Sequence, residues 1–205
     1  MKRLCFLIWS LCMLMTVQAA VPYFITPQDF EQGLPTGWII DYSSLPSLSD
    51  GNNHNGVWRH ECASDNALLV NPEGAYSGSC RMAVRTTNPE EYCVRLVTPV
   101  MDVHAAGAQP VLRFAHAQNG ITVKDKVYMD TLSVYVRPNA TQPWQLLHRY
   151  TEPIAAWRVD ELPLDNYNIG TAYQIAFEAK DGNGQGVVLD DVCVYIPSRC
   201  TDVSY

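Results

Sequence analysis

From Phe30 onward the chain never sustains the three-to-four-residue recurrence of apolar side chains that a helix needs. It breaks instead into short runs rich in Val, Ile, Leu and aromatic residues, separated by clusters such as "SLSDGNNHNG", "NPEGAYSG", "RTTNPEE" and "KDGNGQG". The expected strands span 37–42, 57–61, 67–70, 79–85, 92–101 and 110–118, then 130–137, 144–150, 157–164, 173–180 and 187–196. About eleven short strands without helices predict an all-β protein, a two-sheet antiparallel β-sandwich of jelly-roll type. No repeat or linker interrupts the series, so residues 21–205 are expected to form a single domain.

The N-terminus bears on compartment. Met1-Lys2-Arg3 is a basic start, Leu4 to Met15 an apolar run, and Val17-Gln18-Ala19-Ala20 a small-residue cleavage region. Residues 1–20 therefore read as a secretory signal peptide, and the mature chain as secreted, extracellular or periplasmic, with no membrane insertion. Removing Lys2 and Arg3 takes the formal charge from −7 to about −9, which argues against a nucleic-acid partner. Cys62, Cys80, Cys93, Cys193 and Cys200 remain after processing. Export permits disulfides, but the spacings do not choose a pairing, and the odd count leaves one thiol over.

One strand carries a problem. In "VVLDDVCVY" (187–195) the alternation of an extended chain puts Asp191 with Val187, Leu189, Cys193 and Tyr195, and Asp190 with Val188, Val192 and Val194. Neither face is polar, and a buried, unpaired carboxylate costs several kcal/mol or changes its protonation state. In many jelly rolls the first and last strands lie side by side, which would bring "DFE" (29–31) to "LDD". Glu31 with Asp190 or Asp191 is then expected to make the two-carboxylate core of a calcium site, with Asp130 as a third member, since hard cations take several oxygens. The competing expectation is that backbone amides or an Arg satisfy the carboxylates, with one of them at a bulge.

Enzyme signatures are absent. His60-Glu61 lacks the second His of H-E-x-x-H, because Ser64 stands there. "GAYSG" has the wrong spacing for a nucleophile elbow, and Glu90-Glu91 sits in a turn-like stretch. "DGNGQGVVLDDV" opens like an EF-hand loop, yet Val192 holds the place of the bidentate Glu, so the stretch reads as a Gly-rich hairpin turn. No catalytic activity is expected; a hydrolase with a loop-built site is the third reading. Trp58, Tyr76 and Trp144 are candidates for a sugar-stacking platform, although each Trp also falls within or beside an apolar strand. His116 shares a face with Leu112 and Phe114 and reads as a structural histidine.

Taken in order, "DFEQGLPTGW", "AYSGSCRMAV", "YCVRLVTPVMDV", "PVLRFAHA", "DTLSVYV" and "YQIAFEAKDGNGQGVVLDDVCVY" resemble the MAM-like jelly-roll superfamily. The likeness is to its bacterial cleaved-adhesin and choice-of-anchor J branch, and it covers roughly 30–196. The resemblance implies a non-catalytic adhesion or ligand-binding module for an extracellular protein or glycan. It also implies calcium near the opening "FE" and closing "DD", here Glu31 and Asp190–Asp191. The alternative within this reading is a carbohydrate-binding module using a Trp/Tyr platform.

Overall fold

The structure is a computed structural model that describes residues 23–41, 56–63, 72–84, 93–103, 109–164 and 171–197. Residues 1–20, expected to be a signal peptide, the expected strand at 67–70 and Cys200 lie outside the described residues. The strands are β1 (Tyr23–Gln28), β2 (Ile39–Asp41), β3 (Trp58–Cys62), β4 (Cys80–Val84), β5 (Cys93–Val97), β6 (Val111–Gln118) and β7 (Gly120–Val123). They continue with β8 (Lys126–Met129), β9 (Thr131–Arg137), β10 (Gln145–Arg149), β11 (Ile154–Pro163), β12 (Gln174–Lys180) and β13 (Val187–Tyr195).

Two antiparallel sheets face each other. One runs β11-β6-β13-β4-β3 with β1 also on β13; the other runs β10-β9-β12-β5-β2. A separate β7–β8 hairpin turns through Lys124 and Asp125, both at positive φ. Alternation decides which face each strand buries. On β9, Leu132, Val134 and Val136 are fully buried while Thr131, Tyr135 and Arg137 are half-exposed. The inward side chains make one core between the sheets, in which Phe114 of β6 meets Phe177 of β12 edge-on at 5.2 Å between ring centres.

Polar groups inside this core are bonded across it. Gln118 Nε2 donates to Tyr150 O at 2.9 Å and Glu152 O at 3.0 Å, and its Oε1 accepts from Leu132 N at 2.8 Å. Trp58, 1% exposed, donates its Nε1–H to Phe177 O on the facing sheet at 3.2 Å. The platform expectation for Trp58 is thereby corrected. Its ring fills the core, where burying a large aromatic surface outweighs any use at the surface.

The expected neighbours do pair: β1 lies antiparallel to β13, with Gln28 opposite Val192 and Ile25 opposite Val194. β13 changes partner along that edge. Val187, Val188 and Leu189 pair with β4, and the residues from Val192 onward pair with β1. Asp190 and Asp191 occupy the change-over. There the register with β6 slips between Asp190 and Cys193, and Asp191 takes a φ of 48°. The carboxylates thus sit at a bulge where neither β4 nor β1 continues the ladder, and another segment can reach them.

The "KDGNGQG" stretch departs from expectation. It joins β12 to β13, which belong to different sheets, so it is a crossing between sheets and not a hairpin. Asp130 holds it: Oδ1 accepts from Gly182 N at 2.9 Å and Gly184 N at 3.2 Å, and Oδ2 from Gly186 N at 2.6 Å. Among the described residues, then, Asp130 does not join Glu31, Asp190 and Asp191. Its fully buried carboxylate is committed to the amides of a glycine-rich corner, which corrects its assignment as a calcium ligand.

Candidate functional site

Residues 72–80 run into β4 and are held by four charged side chains from three places in the sequence. "DFE" supplies the first. Asp29 Oδ1 accepts from Glu31 N at 3.2 Å, and Phe30 adopts a φ of 55°, which drives its ring into the core at 2% exposure. This reversal of the strand alternation swings Glu31 toward the loop. Glu31 Oε1 accepts from both Ser79 N and Cys80 N at 2.6 Å. His60 steadies the same corner, its Nε2–H donating to Phe30 O at 2.8 Å.

The change-over on β13 supplies the second and third. Asp190 Oδ2 accepts from Tyr76 N at 2.8 Å and Ser77 N at 3.2 Å, while its Oδ1 accepts from Asp191 N at 2.8 Å. Asp191 Oδ1 accepts the Ser77 hydroxyl at 2.7 Å. Arg81 of β4 supplies the fourth, donating from Nη1 to Pro72 O and Gly74 O at 2.5 Å. The Cys62–Cys80 disulfide closes the far end of the segment. Carboxylates take the amides and the guanidinium takes the carbonyls, and the β3–β4 ladder takes over at Ser79 and Cys80.

The electrostatics of the clamp are uneven. Asp190 is fully buried, and burial pushes its carboxyl up to about 7, even though the amides of Ser77, Asp191 and Tyr76 favour its charged form. A cation beside it would hold it ionised. Glu31, Asp190 and Asp191 carry hard oxygens, the donor type calcium takes. Each of these carboxylates is, however, already engaged with the loop. Among the described residues, the side chains grouped closely enough for a metal are His60, Cys62 and Cys80, of which the two cysteines are bonded to each other.

Tyr76 lies on this same loop, 40% exposed, with its ring 6.0 Å from that of Trp157 on β11. Trp144 is elsewhere, over the outer face of the five-stranded sheet. Tyr76 and Trp144 are therefore not parts of one platform.

That outer face carries an arrangement that no single stretch of sequence displays. Directly opposite one another across all five strands stand Asp41, Arg95, Glu178, Ser133 and Arg149. Arg95 grips Glu178 through Nε at 2.8 Å and Nη2 at 2.6 Å. Arg149 donates to Ser133 Oγ at 3.1 Å and Tyr135 OH at 3.3 Å. Arg137 lies 4.2 Å from the centre of the Trp144 ring, with Arg95 at 6.0 Å from the same ring, and donates twice to Gln174 Oε1. Burial lowers the Arg137 pKa; Asp41 opposes this and Arg95 adds to it. Beside the row, Thr131, Ser133, Arg149, Glu178, Lys180 and Asp181 line an open cleft of about 320 Å³. Alternation along β9 puts Thr131, Ser133 and Tyr135 on one face. The row itself depends on register between strands far apart in the chain.

No curated protein matches this sequence. Solved structures do share the fold. The K3 cleaved adhesin domain of Lys-gingipain from Porphyromonas gingivalis is 16% identical, with 83% of this chain and 96% of that one covered at a TM-score of 0.52. TmCBM61, solved with β-1,4-galactotriose, is 12% identical over 86% and 99% of the two chains, with a TM-score of 0.53. An apo-form cyclase from Fischerella sp. is also 12% identical, over 90% and 91%, with a TM-score of 0.54. The shared fold thus serves adhesin, sugar-binding and enzyme proteins alike, and function has to be argued from the site. A family model for the MAM domain, meprin/A5/mu, matches residues 30–201. With that match spanning most of its length and a two-sheet jelly roll beneath it, the chain belongs to the MAM domain family.

Proposed function

We propose that this protein is a secreted, non-catalytic binding module that takes a glycan, free or on an extracellular protein, on the outer face of its five-stranded sheet. The observation that carries the reading is the polar row from Asp41 to Arg149 beside Tyr135 and Trp144. Such a face offers bidentate and hydroxyl partners for sugar hydroxyls next to aromatic rings for stacking. The sugar-bound structure of a protein with this fold supports the choice of ligand class. The Cys62–Cys80 disulfide supports an oxidising compartment. The hydrogen bonds described on this face join guanidinium groups to Glu178, Gln174 and two hydroxyls, an arrangement suited to holding a polar ligand.

The test is calorimetric titration with soluble polysaccharides, backed by an assay for new reducing ends. Binding without cleavage, weakened about tenfold or more by Trp144→Ala, supports the reading. Binding untouched by Trp144→Ala and Tyr135→Ala together moves the site elsewhere.

The same proposal includes calcium at the loop clamp, with Glu31, Asp190 and Asp191 as its carboxylates. A cation that binds only the folded chain raises its melting temperature. Millimolar calcium is expected to raise Tm over that in EDTA, and Asp190→Asn to remove the difference. Identical melting in calcium and EDTA would end the calcium reading and leave the clamp as a backbone-binding device.

A further inference from the structure

We infer that the cleft on the five-stranded face selects an anionic saccharide, one whose acid group sits between Arg149 and Lys180. The inference rests on the reading of this face as the ligand site and narrows its ligand class. Among the described residues, four cations lie on the face: Arg95, Arg137, Arg149 and Lys180. Their partners divide them. Arg95 is committed to Glu178, so that pair is neutral toward a ligand. Arg137 is committed to Gln174 and stacked on Trp144, with Asp41 the nearby acid. Arg149 is different, because it is exposed and its bonds go to two neutral hydroxyls, Ser133 Oγ and Tyr135 OH. Lys180 is exposed and stands opposite Cys93 and Thr131, neither of them an acid.

Among the described residues, then, two cations without an ion pair flank one cleft, with the Thr131 and Ser133 hydroxyls between them. Two carboxylates also line it: Glu178, which Arg95 neutralises, and Asp181 at the edge, whose Oδ1 already accepts from Asn183 N at 3.0 Å. On a chain of formal charge −7, cations left unpaired in a concavity mark where an anion is favoured over water. A guanidinium and an ammonium bind a carboxylate or a sulfate more strongly than a neutral hydroxyl does. The cleft, at about 320 Å³, is at the small end of ligand sites and suits a single sugar unit of a longer chain.

The mature chain should be titrated with polygalacturonate, a sulfated galactan and a neutral galactan. At least one acidic polymer is expected to bind about tenfold or more tightly than the neutral one, and the preference to shrink with added salt. The better of the two identifies carboxylate or sulfate as the group read. Arg149→Gln and Lys180→Gln together should remove the preference, whereas Arg149→Lys should keep much of it. Asp181→Asn should tighten acidic binding. Both replaced cations are exposed, so the variants are expected to fold; coincident melting curves check this. If neutral and acidic polymers bind equally, or the double variant keeps the preference, the inference fails while the ligand face stands. If none of the three polymers binds the folded chain, the reading of the face fails with it.

Discussion

At position 78 one methyl group is enough to disturb the clamp. Gly78 adopts a φ of 62°, and a Cβ there would lie 2.7 Å from Glu31 Cδ. Gly78→Ala therefore combines a left-handed backbone with a displaced Glu31, whose carboxylate serves Ser79 N and Cys80 N. Chemical denaturation should show a loss of about 2–4 kcal/mol. A loss under about 0.5 kcal/mol would mean that Glu31 is not needed where it sits. A second residue sets a pH dependence. His116 is fully buried, with Nε2 2.9 Å from Asp160 Oδ2, and burial pulls its pKa down to about 4 although Asp160 opposes the shift. The unfolded chain, with an ordinary value of 6.5, binds this proton more readily than the folded one. The stability that neutral His116 contributes is thus fully present above pH 6.5 and declines as pH falls toward 4. Urea midpoints between pH 7 and 4.5 should fall less steeply for His116→Gln than for the unmodified chain. Parallel profiles would remove His116 from the account.

Among the elements, the corner between β12 and β13 is where sheet crossing depends on one side chain. Asp130 gathers the amides of Gly182, Gly184 and Gly186, and the corner passes so close to β8 that a Cβ on Gly184 would lie 2.8 Å from Met129 Cα. Asp130→Ala strands three donors that approach a buried carboxylate, and should cost about 3 kcal/mol or more. Asp130→Asn keeps one acceptor oxygen and should cost less. Neither variant is expected to change the response of Tm to calcium, which separates this carboxylate from Asp190. A calcium response lost in Asp130→Asn but kept in Asp190→Asn would reverse the two assignments.

For the whole molecule, the Cys62–Cys80 bridge closes a loop of sequence separation 18 that ends at the clamp. Constraining an unfolded loop of that size contributes about 3 kcal/mol. Cys62→Ser with Cys80→Ser should therefore lower stability by about 2–4 kcal/mol, measured by urea denaturation. A change below about 1 kcal/mol would place the stability of this edge in the β3–β4 ladder and the Glu31 contacts instead. The jelly roll also separates two jobs in space. The six-stranded sheet carries the loop clamp, and the outer face of the five-stranded sheet carries the polar row, exposed at Arg149 and buried at Ser133 and Glu178. On the proposed reading, Asp190→Asn should therefore lower Tm more than it weakens saccharide binding.

Much of this protein was set by local chemistry. Period-two alternation and turn clusters are properties of neighbouring residues, so the class of fold and most strands from β2 onward could be read directly. β1 escaped because "YFITPQ" contains Pro27 and follows directly on the apolar N-terminal run. The β7–β8 hairpin escaped because its turn uses Lys124 and Asp125 at positive φ in place of glycine. Two adjacent acids in "VVLDDVCVY" announced a need for compensation, and the pairing of first and last strands could be expected from it. Backbone amides at a bulge were one of the two answers the sequence allowed, and they are what Asp190 meets; which amides could not be read. The amides of residues 76, 77, 79 and 80 meet Asp190 and Glu31 only after β13 has exchanged β4 for β1. Likewise Asp130 acquired its partners, Trp58 its burial and the row from Asp41 to Arg149 its alignment from long-range register. Residues more than a hundred positions apart are brought to hydrogen-bond distance by sheet pairing and loop closure, and no local pattern encodes that distance.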